Sequence, residues 1–138
     1  MRRTRKNTNT PHMVNRKMDD ETFAMRKQVM TFVREASDVI GVRLPRVEVR
    51  IADPVNRSTL GCARMGDRVI WISPFSCKEG GLHLRHCVFH ELGHAIFNKR
   101  HTTHGLMAPV LKSTSKFTQD TDFRAMATIH NMDEWAAA

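Results

Sequence analysis

His90-Glu91-Leu92-Gly93-His94 is the stretch on which the reading of this chain turns. Two histidines four residues apart on a helix lie one above the other on the same face. Both imidazoles then reach a single metal ion, and the glutamate between them is placed to hold a metal-bound water. The pattern requires a helix with an apolar back, and residues 82–99 supply one. Leu84, Val88, Leu92 and Ile96 recur every four residues, no proline interrupts them, and the histidines fall about a quarter turn from that stripe.

Working back from this helix, residues 77–81 read as a loop containing Gly80-Gly81, and Ser73-Pro74 ends a strand. Residues 60–65 and 68–73 flank the turn dipeptide Gly66-Asp67 and read as a hairpin. The run Val69-Ile70-Trp71-Ile72 is apolar on both faces, so this arm is expected inside the sheet and the 60–65 arm nearer its edge. From Leu44 the period is two, with Val47, Val49 and Ile51 alternating with Arg46, Glu48 and Arg50 up to Asp53-Pro54, which describes a half-buried strand. Residues 20–40 carry Phe23, Met30, Val33, Ala36 and Ile40 near helical spacing, with Asp19 and Asp20 at the start and Gly41 at the stop. Beyond the central helix, residues 101–116 have no period and read as an ordered loop, and residues 119–137 read as a last helix containing Phe123, Met126, His130 and Trp135. The class is therefore α+β: a small mixed β-sheet packed by an N-terminal helix and the His-Glu-x-x-His helix, with a C-terminal helix.

A chain of 138 residues is one domain with one core. The division expected is a basic, disordered arm over residues 1–18 and a folded domain over 19–138. Arg2, Arg3, Arg5, Lys6, Arg16 and Lys17, with no acid among them, carry most of the net charge of +8. Such an arm can hold nucleic acid or another polyanion weakly and in a salt-sensitive way, although no aromatic residue is interleaved for base stacking. No apolar run is long enough to span a membrane and no secretory signal is written, so the expectation is a cytoplasmic monomer. Cys62, Cys77 and Cys87 lack the spacing of a disulfide framework and read as reduced thiols.

A catalytic zinc takes three protein ligands and keeps a fourth position for water, so a third ligand must come from outside the first two turns. On a continuing helix His101 would stand ~10 Å beyond His94, too far for bonds of about 2 Å. For His101 to serve, the helix must end and the chain reverse, and Asn98, which tolerates the left-handed conformation, is the local candidate for that reversal. His104 is the competing ligand in the same loop. His83 and His86, although near the His90 face, would spread along two turns of one straight helix and are read as packing or cleft-lining residues.

His90-Glu91-Leu92-Gly93-His94 through His101, followed by Gly105-Leu106-Met107-Ala108-Pro109, resembles the metzincin signature, H-E-x-x-H-x-x-G-x-x-H with a downstream Met-turn. More narrowly it resembles small metallopeptidases of bacteria and phages. Phe97 stands where the family has glycine, and His101 comes one residue later than the family's third histidine. The resemblance implies a zincin-like fold, one zinc ion held by His90, His94 and His101, Glu91 as general base, Met107 as an apolar floor, and a peptide or protein substrate. By the same analogy a peptide would add to the sheet edge at residues 60–64. The chain has no Tyr, so a tyrosine donor to an oxyanion is excluded, leaving His104 or a backbone N–H. Leu60-Gly61, the end of the strand over residues 70–74 and His104-Gly105 also resemble SprT-like proteases associated with nucleic acid, in which His104 would be the third ligand. The other class is a non-catalytic domain with structural zinc and a basic arm that binds nucleic acid or a virion component.

Overall fold

The computed structural model describes residues 10–56, 59–109 and 114–129. Arg2, Arg3, Arg5, Lys6, His130 and Trp135 lie outside the described residues.

The first helix, α1 (Asp20–Ile40), begins where Asp19 accepts a hydrogen bond from the Thr22 N–H at 2.8 Å, with Asp20 and Glu21 in the first turn against the positive end of the helix dipole. It stops at Gly41, whose φ of 73° is left-handed and whose N–H returns to the Ser37 carbonyl. Its buried stripe is Thr22, Met25, Val29, Val33 and Ala36. This corrects the expected stripe at its start: Phe23 is 49% exposed, with the Lys27 ammonium over its ring, and Met30 and Ile40 flank the core rather than form it.

A four-stranded sheet runs in the order β1-β2-β4-β3, from β1 (Met13–Asn15), β2 (Glu48–Pro54), β3 (Gly61–Ala63) and β4 (Val69–Ile72). Strand β2 is antiparallel to β1 and parallel to β4, and β4 is antiparallel to β3, so the sheet is mixed. As the alternation implied, Val49 and Ile51 of β2 and Ile70 and Ile72 of β4 point into one core with the helices. Trp71 and Ala52 point to the other face, where Met13 covers them. The hairpin forms as read, with β4 inside and β3 at the edge.

Residues 10–18 depart from the expected disordered arm. Met13 is fully buried and pairs with Pro54, and Arg16 reaches Glu21 at 3.3 Å and Asp53 at 3.4 Å. The physical reason is that β2 is otherwise an edge with Trp71 bare behind it, and a short strand carrying one buried apolar residue closes both. A second departure is α2 (Pro74–Glu79), read as loop. Ser73 caps it by accepting from the Ser76 N–H, Pro74 sits in its first turn, and Gly80 stops it at φ 62°. Six residues are too few to show a period, although each end signal is present.

Helix α3 (Gly81–Phe97) carries the expected stripe, with Leu84, Val88 and Leu92 at 0% exposure. It is not a surface helix, however. It packs on β3 and β4 on one side and on α1 and α4 on the other, so Arg85, His86, His90 and Glu91 are buried with it. Arg85 is held by the carboxylates of Glu35 and Asp120 and lies over the Phe89 ring, which ties α3 to α1 and α4. Helix α4 (Lys116–Ile129) begins three residues before the expected start, because Ser115 caps it by accepting from the Thr118 N–H at 3.1 Å. Among the described residues no helix is long and apolar enough to cross a membrane.

Met13→Ala is expected to cost about 2–4 kcal/mol in denaturant unfolding, as for other buried methionines. A cost below about 0.5 kcal/mol would mean that residues 10–15 contribute nothing to the fold.

Candidate metal centre

The centre rests on how α3 ends. Asn98 takes a left-handed conformation (φ 55°, ψ 30°), and the Lys99 N–H bonds to the Gly93 carbonyl at 3.0 Å. The helix therefore stops at Phe97, three residues after His94, and the chain reverses at Asn98, where the sequence placed the reversal. The reversal aims the Lys99 carbonyl at His94 Nδ1, 2.6 Å away. On the preceding turn, His90 Nδ1 lies 2.7 Å from the Leu106 carbonyl. A carbonyl oxygen only accepts, so each Nδ1 carries the hydrogen and each Nε2 presents a lone pair.

Those two lone pairs converge. His90 Nε2 and His94 Nε2 stand 3.2 Å apart, and neither has a hydrogen to place between them. The returning loop adds His101, whose ring centroid lies 5.2 Å from that of His90 and 4.9 Å from that of His94. One nitrogen from each of the three can be chosen so that all lie within 4.8 Å of one another. Three imidazoles so arranged can hold a metal ion. His104, the competing third ligand, is exposed and stands outside this group; its carbonyl accepts from the Thr102 hydroxyl. Burial pushes His90 down to about 4 and also lowers His94, which keeps both in the neutral form that binds metal.

Behind the ligands, Met107 is buried against Gly93, the residue before His94. A Cβ at Gly93 would stand 2.6 Å from Met107 Sδ, so the methionine occupies the space that a side chain there would fill. The loop that carries Leu106 is pinned from α4, where Asp122 Oδ2 accepts from the Leu106 N–H at 2.9 Å. A bare Gly105 lets this happen, because its φ is 80° and a Cβ would stand 2.5 Å from that carboxylate oxygen.

The three histidines open onto a cleft of about 610 Å³ that is also lined by Glu91, residues 59–63, His12 and Pro109. Glu91 is 4% exposed, and burial raises its carboxyl to about 8. Strand β3 lies directly on it: a Cβ at Gly61 would be 2.9 Å from Glu91 Oε2 and 3.1 Å from Cys87 Sγ. His12 was missed in the sequence because it falls in the stretch read as an arm, and no local signal marks it. Cys62 also lines the cleft, its thiol raised first by burial and then by the Glu91 carboxylate. None of the three cysteines joins the histidine group, and all are free thiols. His83 and His86 line no part of the cleft. His86 Nδ1 accepts from the Thr114 N–H at 3.3 Å, and His83 lies edge-on to Phe75.

These shifts set how the metal-free protein responds to pH. His86 and His90, both held near 4 by burial against an ordinary 6.5, contribute stability that is complete above pH 6.5 and is lost as pH falls towards 4. Glu91 has the opposite sign: its contribution is complete below pH 4.5 and is lost as pH rises through 8. Two imidazoles outweigh one carboxyl on the acid side. Between pH 6.5 and 8 the carboxyl dominates, the raised Cys62, Cys77 and Cys87 thiols adding a loss of the same sign as pH rises above their ordinary 9. The Tm of the metal-free protein should therefore peak near pH 6.5 and fall on either side. Glu91→Gln should remove the fall between pH 6.5 and 8 and leave the acid one. A metal-free Tm that climbs steadily to pH 8 would contradict this assignment.

Compared with known proteins, the chain matches no family model, no curated protein and no solved structure, so its centre is described by its own geometry.

Proposed function

We propose that the chain is a zinc-dependent metallopeptidase with a zincin-like arrangement. The observation that carries this reading is the convergence of His90, His94 and His101 beside a buried Glu91 at the floor of an open cleft. A set of three imidazoles suits zinc, and two nitrogens at 2.0–2.1 Å from a tetrahedral zinc stand ~3.4 Å apart. The 3.2 Å between His90 Nε2 and His94 Nε2 is close to that spacing. When bound, zinc supplies a Lewis acid that polarises a carbonyl and lowers the pKa of its water to about 7.

The chain's own residues do the rest. Glu91 accepts a proton from the attacking water and delivers it to the leaving amine, a role suited by a carboxyl whose burial raises it towards neutrality. Strand β3 is an edge strand along the cleft, and an extended peptide adds to it by main-chain hydrogen bonds. In a chain without Tyr, His12 lines the cleft and lies outside the ligand group, which supports it as a donor to the oxyanion. His104, considered for that role from the sequence, does not line the cleft.

A structural zinc site needs a fourth protein ligand, and among the described residues the group has three. The SprT-like reading with His104 as third ligand has that histidine outside the group. The test is metal content and casein cleavage measured on the same samples. We expect about one zinc per chain, lost in His101→Ala and kept in His104→Ala. Glu91→Gln should keep the zinc and lower cleavage at least ~100-fold. Cleavage that survives both Glu91→Gln and a chelator would overturn the peptidase reading, and zinc lost only with His104 would transfer the ligand role.

A further inference from the structure

The net charge of the chain lies in more than its N-terminal arm. Away from the metal centre, α1, the segment leading into β2 and the start of β4 enclose a second cleft of about 780 Å³. Five arginines line it: Arg26 and Arg34 from α1, Arg43 and Arg46 from the connecting segment, and Arg68 from the turn before β4. Among the described residues no lysine and no aromatic residue lines it. Two acids do, and each is engaged by an arginine outside the cleft: Glu48 by Arg50, and Asp67 by Arg64 at 3.5 Å. Among the described residues Arg34, Arg43, Arg46 and Arg68 form no ion pair, and the first three are exposed. Arg26 spends only its Nε, on the Val49 carbonyl at 3.1 Å. No residue lines both this cleft and the metal cleft.

Guanidinium groups gathered without counter-ions repel one another, and an anionic ligand relieves that repulsion. Arginine rather than lysine throughout favours phosphate, because the planar fork donates two parallel hydrogen bonds to it. Extent decides between a small anion and a chain of them. Arg26 and Arg34 are eight residues apart on one helix, so the basic surface runs ~12 Å. A nucleic-acid strand carries a phosphate every ~3.4 Å of axis, so that length faces about three or four phosphates. With no aromatic side chain to stack on, the cleft has nothing with which to hold unpaired bases, which favours a duplex backbone.

We propose that this arginine cleft binds the phosphate backbone of duplex nucleic acid, independently of sequence. The arm contributes less than its charge suggests, since Arg16 is held by Glu21 and Asp53.

The test is fluorescence anisotropy on the full chain with two 20-base-pair DNA duplexes of unrelated sequence, titrated between 50 and 200 mM salt. Both duplexes should bind with the same Kd, in the ~10⁻⁴–10⁻⁶ M range, rising steeply with salt. Arg43→Ala/Arg46→Ala should weaken binding at least ~10-fold at low salt and reduce the slope of log K against log salt by about two. Metal content of that variant should be unchanged, which reads whether the fold is intact. Arg2→Ala/Arg3→Ala/Arg5→Ala should keep most of the affinity. The proposal is overturned if neither duplex binds, if the arm variant alone loses binding, or if the cleft variant binds like the parent. Saturation by millimolar inorganic phosphate would overturn it in favour of a small-anion site. Binding of polyglutamate as tightly as the duplex would overturn it in favour of an acidic protein partner.

Discussion

Two nitrogen lone pairs held 3.2 Å apart, on His90 and His94, are the constraint around which this molecule is arranged. Left to themselves the two imidazoles would rotate apart or share a proton. Rotation is opposed because each ring is fixed from behind by a backbone carbonyl that requires the hydrogen on Nδ1, and a shared proton is disfavoured by burial, which lowers both imidazoles. Those carbonyls come from two different parts of the chain. Lys99 is delivered by the left-handed turn at Asn98, and Leu106 by a loop pinned to Asp122 of α4. The same turn that ends the helix brings His101 back towards the pair. Ligand position, ring tautomer and helix termination are thus one structural event, and the three imidazoles it gathers are a set that could hold a cation.

Such a centre is costly to bury, and the fold around it reflects that. Helix α3 lies between the sheet and two other helices, so a glutamate, two histidines and an arginine are carried inside with its apolar residues. Arg85 is satisfied by Glu35, Asp120 and Gln119. Glu91 is different: the neighbour that β3 offers it is a glycine, which allows the strand to lie against its carboxyl. Burial then favours the protonated acid in the metal-free chain. In the proposed peptidase a bound cation would draw that carboxyl back towards ionisation, the form in which it accepts a proton.

Much of this was legible in the sequence where a local rule applied. The α3 stripe, the left-handed role of Asn98, the alternation of β2 and the order of the hairpin in the sheet all follow from periods and turn residues. What could not be read came from tertiary context. The strand at Met13–Asn15 is three residues long, too short for an alternation to show that Met13 is buried while Val14 is exposed. Nothing in the composition says that Trp71 needs covering from that side, and His12 enters the cleft only because that strand pairs. Helix α2 is too short for a period. The α1 stripe runs through Met25 and Val29 because Phe23 faces outward, which single-helix periodicity does not decide. Likewise the choice between His101 and His104 depends on how the loop returns, and the return is set by the Lys99 and Leu106 carbonyls rather than by spacing.

The central claim is that three imidazoles and no other protein group hold a metal ion, leaving one position open to the cleft. X-ray absorption on the zinc-loaded protein tests it most directly, because it counts and identifies the atoms around the ion. Three imidazole nitrogens at about 2.0–2.1 Å and a single further oxygen are the result the account predicts. A sulfur ligand at about 2.3 Å, or a fourth imidazole, would contradict it, because either would close the centre and leave no place for a reacting water.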